Sequence, residues 1–221
     1  DGSYHSDCKL RPIGKQNAIA NAAFKPLAQT STRYAADPLA NFGMVVLKRS
    51  GTESVPRQLQ IMRDRYPHCI LRSEDAANAF PSGLRFKVLE GLRLFREHLL
   101  SLPSADQTDS VQAMLTCIVK LIKYTVAFRS RPNNQWVNVN GKLLNLLATG
   151  ACVQGGILDM PMFCIMYTFL VLVPLQEKNR SVLALSIADD LYTAVKNETP
   201  AAHEGGVPPD IEAIAKAAHD F

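Results

Sequence analysis

"MPMFCIMYTFLVLVPL", residues 160–175, decides how the rest of this chain must be arranged. It is the longest uncharged apolar run, and its side chains are apolar all round a helical turn. A helix with no polar face has to be enclosed. Its 16 residues fall short of the roughly 20 that span a bilayer, and Pro161 and Pro174 stand near its ends. The run therefore reads as the central buried helix of a mainly α fold, with no integral membrane segment.

Amphipathic segments that could enclose it lie on both sides. "TESVPRQLQIMRDRYP", from residue 52, has Thr52 or Ser54 as N-cap, Pro56 in the first turn and a stop at Pro67. Residues 81–103 carry Leu84, Val88, Leu92, Phe95, Leu99 and Leu102 in one stripe. From Ser104 a second long helix is expected, with acidic residues in its first turn and a stripe of Val111, Met114, Leu115, Ile118, Ile122 and Val126. "SVLALSIADDLYTAVKN", 181–197, fits a further amphipathic helix capped by Ser181. These segments make residues 51–198 a single compact, multi-helix, bundle-like core domain.

The ends are different in kind. Residues 1–50 contain three prolines and few large apolar side chains, which predicts an extended N-terminal arm. Within it only a short helix near 15–24 and a short strand at Met44–Leu47 are expected. Residues 199–221 read as a C-terminal tail with a short helix from about Asp210 to His219.

One stretch inside the core stops reading like helix. "NNQWVNVNGKLLNLL", 133–147, holds the only tryptophan and the Asn140-Gly141 dipeptide, a strong hairpin turn signal. Leu, Lys and Ala outnumber β-branched residues after Gly141, which favours a helix starting there. A short extended or hairpin element near 133–141 is expected, with a full hairpin as the rival reading.

The net charge of +4 conceals a gradient. Residues 1–150 hold 20 Lys and Arg against 11 Asp and Glu, a balance of +9; residues 151–221 hold 4 against 9, a balance of −5. A basic front suits a polyanion partner, and the asymmetry also suits head-to-tail self-association. Cys8, Cys69, Cys117, Cys152 and Cys164 are odd in number and irregularly spaced, several in apolar runs. That points to a reducing compartment, cytoplasmic or virion, and not to a secreted disulfide framework. No secretory leader pattern is legible.

Catalytic constellations are wanting. His5, His68, His98, His203 and His219 are scattered, and His68-Cys69 has no zinc-ligand spacing. "TGACVQGG", 149–156, lacks the Lys-Ser/Thr of a phosphate loop. The acidic pairs Glu74-Asp75 and Asp189-Asp190, read as helical, would point about 100° apart and form no converging site. No cofactor and no metal are expected, and the chain reads as non-enzymatic.

The basic residues carry more information. Arg85, Arg93 and Arg96 cluster on one side of the 81–103 helix, Arg63 and Arg65 precede Tyr66, and Lys120, Lys123, Arg129 and Arg131 lead towards Trp136. Arginine pairs with phosphate and aromatic rings stack on unpaired bases, the composition of a sequence-tolerant single-strand site. The expected function is a structural protein, of coat or nucleocapsid type, packaging single-stranded nucleic acid, RNA before DNA. It would self-associate through its terminal arms, with Trp136 or Tyr124 stacking on bases. The alternative is a non-enzymatic helical scaffold or matrix-like module that uses the same face for a protein or an anionic membrane surface.

Overall fold

The protein is described by a computed structural model, which covers residues 18–75, 79–129, 133–148, 152, 156–178 and 182–195. The elements run α1 (Ala18–Ala40), α2 (Gly51–Arg65), β1 (Ile70–Asp75), α3 (Ala79–Ser82), α4 (Arg85–Ser101), α5 (Asp109–Arg129), β2 (Asn133–Val139), β3 (Lys142–Ala148), α6 (Asp159–Tyr167), α7 (Val173–Lys178), β4 (Val182–Ile187) and β5 (Asp190–Val195). The fold is mainly α, as the central run demanded.

That run is the centre of the core. In α6, Pro161 through Tyr167 are all buried. A π-helical segment, Thr168–Leu172, joins α6 to α7, and the Val173 N–H donates to the Thr168 carbonyl, five residues back. Pro174 offers no N–H and its ring crowds the carbonyl of residue 170, so the ladder widens just before it. The buried Thr168 hydroxyl donates to the Cys164 carbonyl at 2.7 Å and so is satisfied within the helix.

Around α6 pack α4 and α1, with α5 against both of those helices. α4 buries Val88, Gly91, Leu92, Phe95 and Leu99, most of the expected stripe, while Leu84 stays about half exposed. Gly91 is where α4 and α6 meet most closely: a Cβ there would stand 2.5 Å from the Met166 Cα. Phe80 stacks on Phe163 at 4.2 Å between ring centroids, and Phe95 on Phe169 at 5.2 Å. α5 starts five residues later than Ser104, after a short 3-10 turn, and buries Met114, Cys117, Ile118, Leu121, Tyr124 and Thr125. Val126, assigned to the stripe from spacing, is exposed.

Several expectations are corrected. Residues 18–40 are not extended: they form α1, far longer than the helix expected near 15–24. Its buried face is Ala28, Ser31, Ala35 and Leu39, too small in side chain to register as an apolar stripe, yet alanine is the best helix former. The 140–147 segment is not a helix. β2 and β3 pair antiparallel from Asn133↔Ala148 to Val139↔Lys142, and Asn140 (φ 52°) and Gly141 (φ 79°) make the tight turn. Met44 forms an isolated bridge to Ser186 in place of the strand expected over 44–47. Ser50, in a left-handed conformation, precedes α2, and neither Thr52 nor Ser54 caps it.

The 181–197 helix is likewise overturned. Residues 182–195 are the hairpin β4–β5, and β1, a strand with no counterpart in the sequence reading, joins it in the order β1-β5-β4, all antiparallel. Both faces are buried, so the segment is apolar nearly throughout and its period is illegible. Leu185 faces Val45 and Val55, with Leu59 of α2 and Tyr192 beside them. Ala184, Leu191 and Val195 join the main core on the other side. The sheet thus lies between α2 and the helical body.

Two helical stretches, Asp109–Phe128 and Asp159–Lys178, are long and apolar enough to cross a membrane by length and composition. The second extends the 160–175 run to 20 residues, and 72% of its apolar window is buried inside the protein, as a core helix would be. Residues 1–17 and 196–221, to which self-association and a tail helix were assigned, lie outside the described residues.

Candidate nucleic-acid interface and carboxylate rim

The described basic residues among those expected lie on three helices, α2, α4 and α5. Arg63 and Arg65 are exposed at the end of α2, with the Arg65 guanidinium 5.8 Å from the Tyr66 ring centroid. Arg85 opens α4 half-buried, and Arg96 is exposed further along it. Arg93 is engaged within its own helix: it contacts Glu90 at 2.7 Å and also Glu97. Those hydrogen bonds push the guanidinium further up from its ordinary value and hold the Glu90 carboxyl below its own. Arg93 therefore brings little uncompensated charge to a phosphate.

Lys120 and Lys123 are exposed on α5 and line a cavity of about 540 Å³ between α1 and α5. Tyr124, expected to stack on bases, is buried. Its ring meets Phe24 edge-on at 4.8 Å and Phe128 at 5.4 Å. Arg129 ends α5 and Trp136 lies in β2; the side chains of both, and Arg131 altogether, lie outside the described residues.

The arrangement that sequence reasoning missed is acidic. β1 and β5 pair so that Asp75 stands directly opposite Asp190, and Ile187 of β4 opposes Asp190 from the other side. Asp189 occupies the two-residue turn with Ala188, whose φ is 58°. Glu74 opposes Leu191 on the helical-body face of the sheet and is ion-paired with Arg72 at 2.5 Å. Three further carboxylates, Asp75, Asp189 and Asp190, thus gather at one end of the sheet.

The core beside this rim feels it. Burial pushes the Tyr167 hydroxyl well above its ordinary value, and the Glu74 and Asp189 carboxylates add to the rise. Burial also pushes the Cys164 thiol up, again with Asp189 contributing. Asp75 and Asp190 share the sheet face of Ile187, which packs on the α2 side. Among the described residues no three His, Cys, Asp or Glu side chains converge to cage an ion. Magnesium in general needs only one or two carboxylates, because that ion keeps its waters and takes remaining ligands from substrate phosphates. The sequence signal was present: two aspartates between two runs of β-length apolar residues mark a hairpin tip as well as a helix face.

No family model matches the sequence. No curated protein matches it either. The fold is similar to that of telomerase from Candida albicans in complex with a TWJ fragment of telomeric RNA, with TM-score 0.50 and 13% identity. That match covers 88% of this chain and 31% of the other. It is also similar to apo telomerase from Candida tropicalis truncated from its C-terminal domain, with TM-score 0.50, 11% identity, 92% of this chain and 40% of that one. At such identity the likeness is one of fold, and this chain spans about a third of the length of the telomerase chains it matches.

Proposed function

We propose that this chain is a nucleic-acid-handling core whose chemistry is divalent-metal-dependent nucleotidyl transfer, with RNA as the strand it holds. The observation that carries the reading is the cross-strand pairing of Asp75 with Asp190 beside the Asp189 turn. Like charges directly opposite in a ladder are destabilising, and a bound cation would offset that repulsion. Support for the nucleic acid comes from the basic balance of residues 1–150 and from the resemblance in fold to telomerase, one of whose structures includes telomeric RNA.

Asp75 and Asp190 would hold the ion, with Asp189 completing the acidic rim. The bound ion would supply charge stabilisation for a transferring phosphoryl group and activate an attacking hydroxyl. The chain's own contribution is positional. The β1-β5-β4 ladder fixes the backbone under the carboxylates, and the Arg72 partner of Glu74 keeps that fourth carboxylate occupied. In the transfer, a strand's terminal hydroxyl oxygen forms the new bond to the α-phosphorus of a nucleoside triphosphate. The bond from that phosphorus to the β-phosphate oxygen breaks, pyrophosphate leaves, and the hydroxyl proton passes to solvent.

The test is incorporation of labelled nucleotide onto an annealed RNA–primer pair with magnesium or manganese, alongside manganese binding followed by electron paramagnetic resonance. Wild-type protein should bind manganese and extend the primer; Asp75→Asn and Asp190→Asn should lose both. Equal manganese binding by wild type and variants, with no extension, would overturn the reading. Packaging of RNA without catalysis is the second reading, favoured by the exposed Lys120 and Lys123. It predicts nuclease-protected RNA in large assemblies that is indifferent to both substitutions.

A further inference from the structure

We infer that the groove between α1 and α5 is a separate single-strand contact, which takes one unpaired nucleotide with its base on Phe128 and its flanking phosphates on Lys120 and Lys123. Lys120, Tyr124 and Phe128 recur at intervals of four on α5, with Lys123 beside them, so all project along one side of the helix. Phe24 of α1 closes the opposite wall, its ring edge-on to Phe128 at 5.5 Å. Phe128 is 59% exposed, so a broad part of this ring remains open where that of Tyr124 is covered.

Charge decides the class of occupant. Asp37 is the sole acid on α1 and Asp109 the sole acid on α5, and neither lines the groove. The lining has two lysines and no carboxylate. Among the described residues neither lysine is ion-paired. The positive field reaches the Cys117 thiol at the groove floor: burial raises that group's pKa, and the Lys120 charge opposes the rise. An apolar peptide would leave both ammonium groups unmatched. A nucleotide satisfies the open ring and both charges together, and about 540 Å³ is of the size that accepts one. The principal packing partners of α5 are α1 and α4, and it takes no part in the sheet, so this contact is independent of the carboxylate rim.

The experiment is anisotropy of a labelled 12-nucleotide oligouridine across a salt series with the full chain, followed by crosslinking to a 5-bromouridine version and peptide mapping. Removal of a stacking ring from a single-strand site costs about fivefold or more in affinity, so Phe128→Ala should weaken binding by at least that and Phe128→Trp should restore it. The double variant Lys120→Gln/Lys123→Gln should flatten the salt slope by about 1.4, from two phosphates lost. Crosslinks should map to the α5 peptide. Unchanged affinity and slope in these variants, or crosslinks elsewhere, would overturn the contact. So would displacement of the oligomer by uridine monophosphate at equal concentration, which would make the groove a mononucleotide pocket. A Phe128→Ala effect on sedimentation but not on RNA would make it a protein interface and overturn it too. Manganese binding followed by electron paramagnetic resonance reports the carboxylate rim by itself, so failure of the groove is distinguishable from failure of the nucleotidyl-transfer reading.

Discussion

Asp75 of β1 faces Asp190 of β5 across an antiparallel ladder at the end of the three-stranded sheet. Two carboxylates at directly paired positions disfavour the ladder in the absence of a cation. Asp75→Asn should therefore raise the thermal midpoint in metal-free buffer. In millimolar magnesium the order should narrow or reverse, because only the wild-type pair gains from the ion. A variant less stable than wild type in chelator would sink this account.

Gly91 makes room for the central helix. Alanine there would place its Cβ 2.5 Å from the Met166 backbone, which cannot swing aside as a side-chain end would. Gly91→Ala should cost about 1–3 kcal/mol by overpacking, read as a lower urea midpoint at unchanged slope. A loss under 0.5 kcal/mol, on the scale of a neutral surface change, would mean that α4 and α6 can part freely.

Gly141 makes a different demand. No atom lies within 4 Å of where its Cβ would be, but its φ is 79°. Gly141→Ala should cost about 1–2 kcal/mol from backbone strain alone, while Gly141→Asn should recover most of it. Equal stability of the alanine and asparagine variants would argue against the left-handed turn.

His98 gives the fold a pH dependence. It lies against Phe42 at 5.0 Å between ring centroids, and burial lowers its pKa from the ordinary 6.5. Arg33 and Asp37 line the same cleft. The unfolded chain thus binds the proton more readily, so this contribution is whole above pH 6.5 and falls away as pH drops through 6.5 towards the folded value. Urea midpoints should decline between pH 7.5 and 5.5, and His98→Gln should flatten that decline. A parallel decline in the variant would assign the effect to other groups.

The parts legible in the sequence were those with a long, one-sided period. The α4 stripe from Val88 to Leu99 and the wholly apolar 160–175 helix needed only the 3.6-residue repeat. α1 escaped because its buried face is alanine and serine, where helix formation leaves no hydrophobic signal. The Trp136 strand was legible as extended, but the strand after Gly141 was not, since Lys142 and four leucines suit either state until a partner strand is supplied.

The candidate site shows the same division more sharply. Sequence alone determined that Asp189 and Asp190 are adjacent, that the basic charge lies in the first 150 residues, and that Lys120, Lys123 and Tyr124 stand close together on one helix. Whether residues 182–195 are a helix or a hairpin was decided by burial on both faces, between α2 and the helical body. Such burial makes every position apolar and erases the local period. Only when β5 pairs with β1 does Asp75, 115 residues before Asp190, come to stand beside it. A long-range pairing of this kind is a property of the packed chain, because no local propensity encodes which strand a strand will meet.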